Sequence, residues 1–415
     1  MEHRVRGAWI VHHACKIEDH GSSRDLDNLR KAGNCGMLLS ALSATHQTQL
    51  TMEKVRVLAE AAGIDLTYQL PALLDALKNQ ALIDHNATNV EVLGLTTRGV
   101  LEHTSNIFGN LSPRPTEEAC IHVAELCSDA PRTRTELCEY VGDLHKIATT
   151  EVAELITTIE ELKFCDSEKL DSSTTVYFNG ALFRAGELKK TKAVLDSLTS
   201  SDQSRIAALE QRLKADGCLE KGQAIQMMGD VLFKKLHSIG MYDVSTVSND
   251  RETVEYVTKP SAFNKFGRSD ISDAFDLAKA FVASLEYGMS RSPAGRGRII
   301  FLRKLMQKLI DGLTVGPCTA IGQDYRILEL RGVVQVIPGP GPMFWMKLLK
   351  HDIGELALQV LESGDASDQS LDILPGSPLA KYWGPERNRV LARKQASERK
   401  IDVRKALDTL RTRGI

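Results

Sequence analysis

The feature that most constrains this chain is an approximate repeat. Residues 34–108 and 115–182 each place three helix-forming segments before a strand-rich hairpin. In the first copy, Gly36 to Ala44 is apolar through Met37, Leu38 and Leu42. Thr51 to Ala62 predicts a second helix, stopped by Gly63, because glycine accepts the left-handed backbone of a helix end. Leu70, Leu73, Leu74 and Leu77 recur at i, i+3, i+4 and i+7, one face of a third helix. A polar turn, His85 to Asn89, leads into alternating Val90-Glu91-Val92, and the copy closes on Leu95-Thr96-Thr97-Arg98-Gly99. In the second copy, Ala119, Val123 and Leu126 share one helix face. Thr133 and Glu136 have the spacing of a capping box. Val152, Leu155, Ile156 and Ile159 give the third helix, Asp166 to Ser173 a polar tip, and Thr175 to Phe178 the returning strand. A looser third copy spans 203–260. It has a helix over 222–238 and two β-prone runs, Tyr242 to Val247 and Glu252 to Thr258, with Ser248 to Arg251 as their turn and Pro260 ending the hairpin.

This order, with Leu-Thr-x-x-Gly ending the first copy, resembles the winged-helix domains of prokaryotes. The resemblance implies a mostly α (α+β) protein of tandem winged-helix-like domains with short β-hairpin wings. The expected division is an N-terminal strand and linker (1–33), winged-helix-like domains at 34–110 and 111–185, and a third such domain at 186–262. A C-terminal helical domain with a β-hairpin (263–365) and a basic tail (366–415) follow. Within 263–365 the pattern predicts a helix (271–287), a Ser/Pro/Gly/Arg linker (290–298) and an amphipathic helix (299–313). A strand pair (325–330, 333–337) turning at Arg331-Gly332 and an apolar helix (343–362) complete it. Aromatic content of 5% favours a helical core over an all-β one.

Charge runs against the usual use of such domains. Residues 1–180 carry 16 Lys/Arg against 26 Asp/Glu, and residues 181–415 carry 36 against 28. A winged helix conventionally lays its third helix in the major groove and gains affinity from Lys/Arg on phosphates. The third helix of the first copy offers Lys78 against Asp75. That of the second offers Glu151, Glu154, Glu160 and Glu161 against Lys163. Between two phosphate backbones such a helix is repelled, so these four glutamates are assigned to a protein partner. Conversely, Arg291, Arg296, Arg298, Arg303, Lys304 and Lys308 fall within 18 residues that contain no acid. The first three lie in a Gly/Pro loop. The last three lie on the polar face of a helix whose other face is Ile299, Leu302, Leu305/Met306, Leu309 and Leu313. Residues 386–413 add ten bases against four acids, Arg387, Arg389, Arg393 and Lys394 among them. These basic residues are the candidate nucleic-acid contacts.

No phosphate-binding glycine loop, nucleophile elbow or His-Glu-x-x-His occurs, so no catalytic residue and no cofactor are assigned. His12, His13, Cys15 and His20 match no standard metal spacing and lie in an expected strand. Asp324, Glu329 and Arg331 only faintly resemble a metal-nuclease strand, and a structural hairpin is preferred. The eight cysteines form no Cys-x-x-Cys pair. Without a signal peptide or the roughly 20 apolar residues of a membrane span, the expected compartment is the cytoplasm. The expectation is a non-enzymatic adaptor in a prokaryotic DNA-associated complex. Its acidic half would dock a protein such as an ATPase or another subunit, its basic half would touch DNA, and a homo-oligomer is allowed. The alternatives are a sequence-specific transcription regulator and a nuclease or antiviral-defence effector.

Overall fold

The computed structural model describes residues 1–20, 24–43, 48–93, 99–249, 252–266, 272–368 and 370. The chain is mostly helical. Among the described residues there are four small antiparallel sheets of three strands, and in each the third strand lies between the first and second. Two compact units are formed, one containing Ile10–Ser112 and the other Met1–Trp9 with Pro113–Ser370.

In the first unit, α1 (His3–His20) contributes from Ile10 onward. It is followed by α2 (Asp27–Ser43), β1 (Gln49–Thr51), α3 (Met52–Ala61), α4 (Leu70–Asn79), β2 (Ile83–His85), β3 (Asn89–Val92) and α5 (Val100–Asn110). The Thr51 side chain caps α3 by accepting the Lys54 amide, and Gly63 leaves it at φ 80°. Leu70, Leu73, Leu74 and Leu77 are all buried on α4. Leu50 pairs with Val90 and Ile83 with Val92, which puts these apolar residues on the sheet's inner face. α1 and α2 approach closely at Gly33, where a Cβ would lie 2.3 Å from the Ala14 Cβ and 2.8 Å from the Ile10 carbonyl oxygen.

The second unit repeats this element order three times. The second repeat is α6 (Pro115–Asp129), β4 (Arg132–Thr133), α7 (Arg134–His145), α8 (Thr149–Glu161), β5 (Asp166–Lys169) and β6 (Thr175–Phe178). Its capping box is formed: Thr133 Oγ1 accepts the Glu136 amide at 3.2 Å, and Glu136 Oε2 accepts the Thr133 amide at 2.7 Å. After α9 (Leu188–Asp196) comes the third: α10 (Ser200–Asp216), β7 (Leu219–Glu220), α11 (Lys221–Met228), α12 (Asp230–His237), β8 (Asp243–Ser248) and β9 (Thr253–Thr258). Helices α13 (Pro260–Asn264) and α14 (Ser272–Ser290) lead to the fourth. It consists of α15 (Leu302–Ile310), β10 (Val315–Cys318), α16 (Ile321–Asp324), α17 (Arg326–Leu330), β11 (Val334–Pro338) and β12 (Phe344–Leu348). Helix α18 (His351–Ser363) closes over α14 and α15, in a core that includes Phe281, Met306, Tyr325, Met346 and Leu358.

Several segments differ from their sequence patterns. The expected N-terminal strand is helix α1, where Trp9, Ile10, Val11, Ala14 and Ile17 are all buried, so no exposed face marks the helical period. The helix over 222–238 is two, α11 and α12, parted at Gly229 with φ 86°. The expected strand 325–330 is helix α17, and the expected helix 343–362 is strand β12 followed by α18. Phe344-Trp345-Met346 suits a strand, and β12 as a whole is held by five cross-strand pairs with β11 over Val334–Pro338. Leu95 to Arg98 of the closing signature and Arg251 of the third turn lie outside the described residues.

Candidate nucleic-acid interface

The six bases between Arg291 and Lys308 separate into two groups. Arg291 donates to Glu220 at 2.6 Å, so its charge is matched within the chain. Arg296 donates through Nη2 to Asp324 Oδ1 at 3.0 Å and to Gln323 at 2.6 Å. The Asp324 side chain has 0% exposure and that of Arg296 14%. Asp324 also accepts Asn249 Nδ2 at 2.9 Å and Ser292 Oγ at 2.9 Å. Asn249 reaches the Tyr287 hydroxyl at 2.7 Å, which in turn donates to Glu252 at 3.0 Å. One hydrogen-bonded hub therefore joins the β8–β9 turn of the third repeat, α14, the 291–298 loop and α16 of the fourth. Arg296 belongs to that joint. Replacing it therefore disturbs the fold, which its place in the Gly/Pro loop does not signal. Asp324 and Glu329 lie on helices α16 and α17, not on a nuclease-like strand.

The other four keep their charge available. Arg298 is exposed and donates through Nε to the Met289 carbonyl at 2.8 Å. Arg303 donates through Nη2 to the Leu361 carbonyl at 2.7 Å, at the end of α18. Neutral acceptors orient a guanidinium without cancelling it. Lys304 and Lys308 are exposed on α15, opposite buried Leu302, Met306 and Leu309. Leu313, expected on the apolar stripe, is 53% exposed. Ile300 and Phe301, just ahead of α15, were singled out by no sequence pattern and are 76% and 64% exposed. Arg387, Arg389, Arg393 and Lys394 lie outside the described residues.

On α8, Val152, Leu155, Ile156 and Ile159 are buried and Glu151, Glu154 and Glu161 exposed. Glu160 differs from these three. Half-buried, it accepts Ser167 Oγ at 2.6 Å and the Tyr177 hydroxyl at 3.3 Å, which ties the third helix to its own hairpin.

A charged cleft of about 680 Å³ lies within the second unit. On its wall Lys259 pairs with Asp129 at 3.2 Å and Glu210 at 2.9 Å. Lys265 pairs with Glu125 at 2.9 Å and Asp365 at 3.6 Å. Burial disfavours the charge on both lysines, yet the carboxylates outweigh it and raise both pKa values. Each ammonium is already matched, so the cleft acts as an ionic joint between α6, α10 and the 259–265 connection. Glu286, on α14, is pushed up to about 7 by burial and by Asp216, against the opposing pull of Arg212. A carboxyl raised in the folded state stabilises fully below its unfolded value, and that contribution is lost as pH rises through about 7. Glu286→Gln should therefore flatten the decline in urea midpoint between pH 5 and pH 8. An unchanged decline would place its origin elsewhere.

Among the described residues no group of three or more His, Cys, Asp or Glu is placed to hold a metal ion. His12 and His13 lie on α1, with Nδ1 atoms 3.4 Å apart. No helix among the described residues is long and apolar enough to cross a membrane. Comparison with known protein families, with curated proteins and with solved structures finds no match to this chain.

Proposed function

We propose that the four repeats are winged-helix domains of a non-enzymatic adaptor, which contacts nucleic acid through its fourth repeat and a protein partner through its second. The observation that carries this reading is the face of α15 and its approach. Among the described residues no carboxylate pairs with Arg298, Arg303, Lys304 or Lys308, and residues 291–310 contain no acid. Such a patch raises the local concentration of a polyanion and binds its phosphates without reading sequence. The third helices of the first two repeats do not support major-groove binding, because α4 and α8 present few bases. The experiment is fluorescence anisotropy of the full chain with labelled DNA, wild type against a variant with all four bases changed to Ala. Binding by the wild type and its loss in the variant are expected, and equal binding would refute the assignment.

The acidic face of α8 supports the second contact. Glu154→Lys with Glu161→Lys changes two exposed positions and should leave stability within about 0.5 kcal/mol. It should leave DNA affinity at the α15 surface unreduced but slow association with a basic protein partner, because complementary charge acts mainly on encounter rate. A pull-down from the native host at low and at physiological salt checks this. The same partners at the same recovery with both proteins would leave α8 merely solvated.

A further inference from the structure

The most exposed apolar step beside these bases is Ile300-Phe301, at 76% and 64% exposure, where the chain enters α15. Single exposed apolar residues are ordinary, but two adjacent large ones leave a continuous apolar area in water. Their setting limits what can cover them. Lys304 Nζ lies 5.0 Å from the centre of the Phe301 ring. Arg298 precedes the pair by two residues and Arg303 follows by two. Both guanidiniums are fixed by backbone carbonyls, at 2.8 and 2.7 Å, and Lys308 lies one helical turn beyond Lys304. An apolar partner alone would strand these charges, and an anionic surface without apolar faces would leave the ring in water. Unpaired nucleobases on a phosphate chain satisfy both, since every base has a flat face and every linkage a negative charge. In a duplex those faces are covered by neighbouring bases.

We infer that Phe301, with Ile300 beside it, is a stacking platform for unpaired bases of single-stranded nucleic acid whose phosphates are held by Arg298, Arg303, Lys304 and Lys308. This rests on the nucleic-acid reading above and names the form of the ligand. Base–aromatic stacking contributes about 1–3 kcal/mol per base, a factor of about 5 to 150. The side chain stands clear of the core, and the bond from the Leu305 amide to the Phe301 carbonyl at 3.0 Å uses only backbone, so substitution leaves α15 in place.

The test measures anisotropy with a labelled mixed-sequence single strand and with its duplex, using the full chain, Phe301→Ala, Phe301→Trp and Lys304→Ala with Lys308→Ala. Wild type should bind the single strand at least about tenfold more tightly than the duplex. Phe301→Ala should lose that preference with little change on duplex, and Phe301→Trp should keep it with tryptophan emission quenched by the strand. If the lysine variant weakens binding to both forms while Phe301→Ala weakens neither, the nucleic-acid reading stands and the stacking platform is overturned. If wild type binds neither form, both fall. Thermal melting of each variant beside wild type excludes loss of fold as the cause.

Discussion

Replacing Arg296 with Ala is expected to destabilise the second unit by about 3 kcal/mol, because it strands a buried carboxylate. Asp324 has no solvent exposure and, among the described residues, keeps two neutral side-chain donors, Asn249 and Ser292, once the guanidinium is removed. For a unit of this size that loss corresponds to a fall in melting temperature of roughly 6–12 °C. The double variant Arg296→Ala with Asp324→Asn separates charge from packing. If the penalty is the uncompensated carboxylate, removing its charge restores part of the lost stability, and the two changes are not additive. A shift within about 0.5 kcal/mol for Arg296→Ala alone would make it a solvated surface base. It would then return to the candidate contacts.

Changing Arg298, Arg303, Lys304 and Lys308 together to Ala should lower nucleic-acid affinity by about a hundredfold at low salt while the melting temperature stays near that of wild type. The magnitude follows from about 0.7 kcal/mol for each exposed ion pair with phosphate, four of which give about two decades. The loss should be the same on unrelated sequences, because phosphate contacts carry no code. Two of the positions have a structural share, Arg303 through its bond to the Leu361 carbonyl and Arg298 through its bond to the Met289 carbonyl. If the fourfold variant melts early, Lys304→Ala with Lys308→Ala avoids both bonds and should still lose about tenfold in affinity.

The first two repeats were legible because their helices are long enough to display a period, whereas in the third the hairpin was legible but two eight-residue helices, α11 and α12, read as one. Leu70, Leu73, Leu74 and Leu77 on α4 and Val152 to Ile159 on α8 mark their buried faces directly, and the capping box at Thr133 and Glu136 marks where α7 begins. The fourth repeat was not legible as one. Its α16 and α17 have four and five residues, little more than one turn each, so no 3.6-residue pattern can develop. Helix α1 was misread for a different reason: its core positions surround it, leaving no polar stripe. The basic cluster was visible as composition, but its internal pairing was not. Arg291 meets Glu220, 71 positions away, and Arg296 meets Asp324, 28 away. Nothing local tells these two from Arg298 or Lys304. Phe301 was hidden inside the continuous apolar run Ile299 to Leu302, where sequence cannot distinguish a core ring from an exposed one.

The measurement that bears most directly on the central claim is the salt dependence of duplex DNA affinity for the full chain and for the variant lacking Arg298, Arg303, Lys304 and Lys308. Four phosphate contacts at about 0.9 released counterion each contribute about −3.6 to the log–log slope, and the variant should lose that contribution. A slope that the four substitutions leave unchanged would contradict the assignment of nucleic-acid binding to this face.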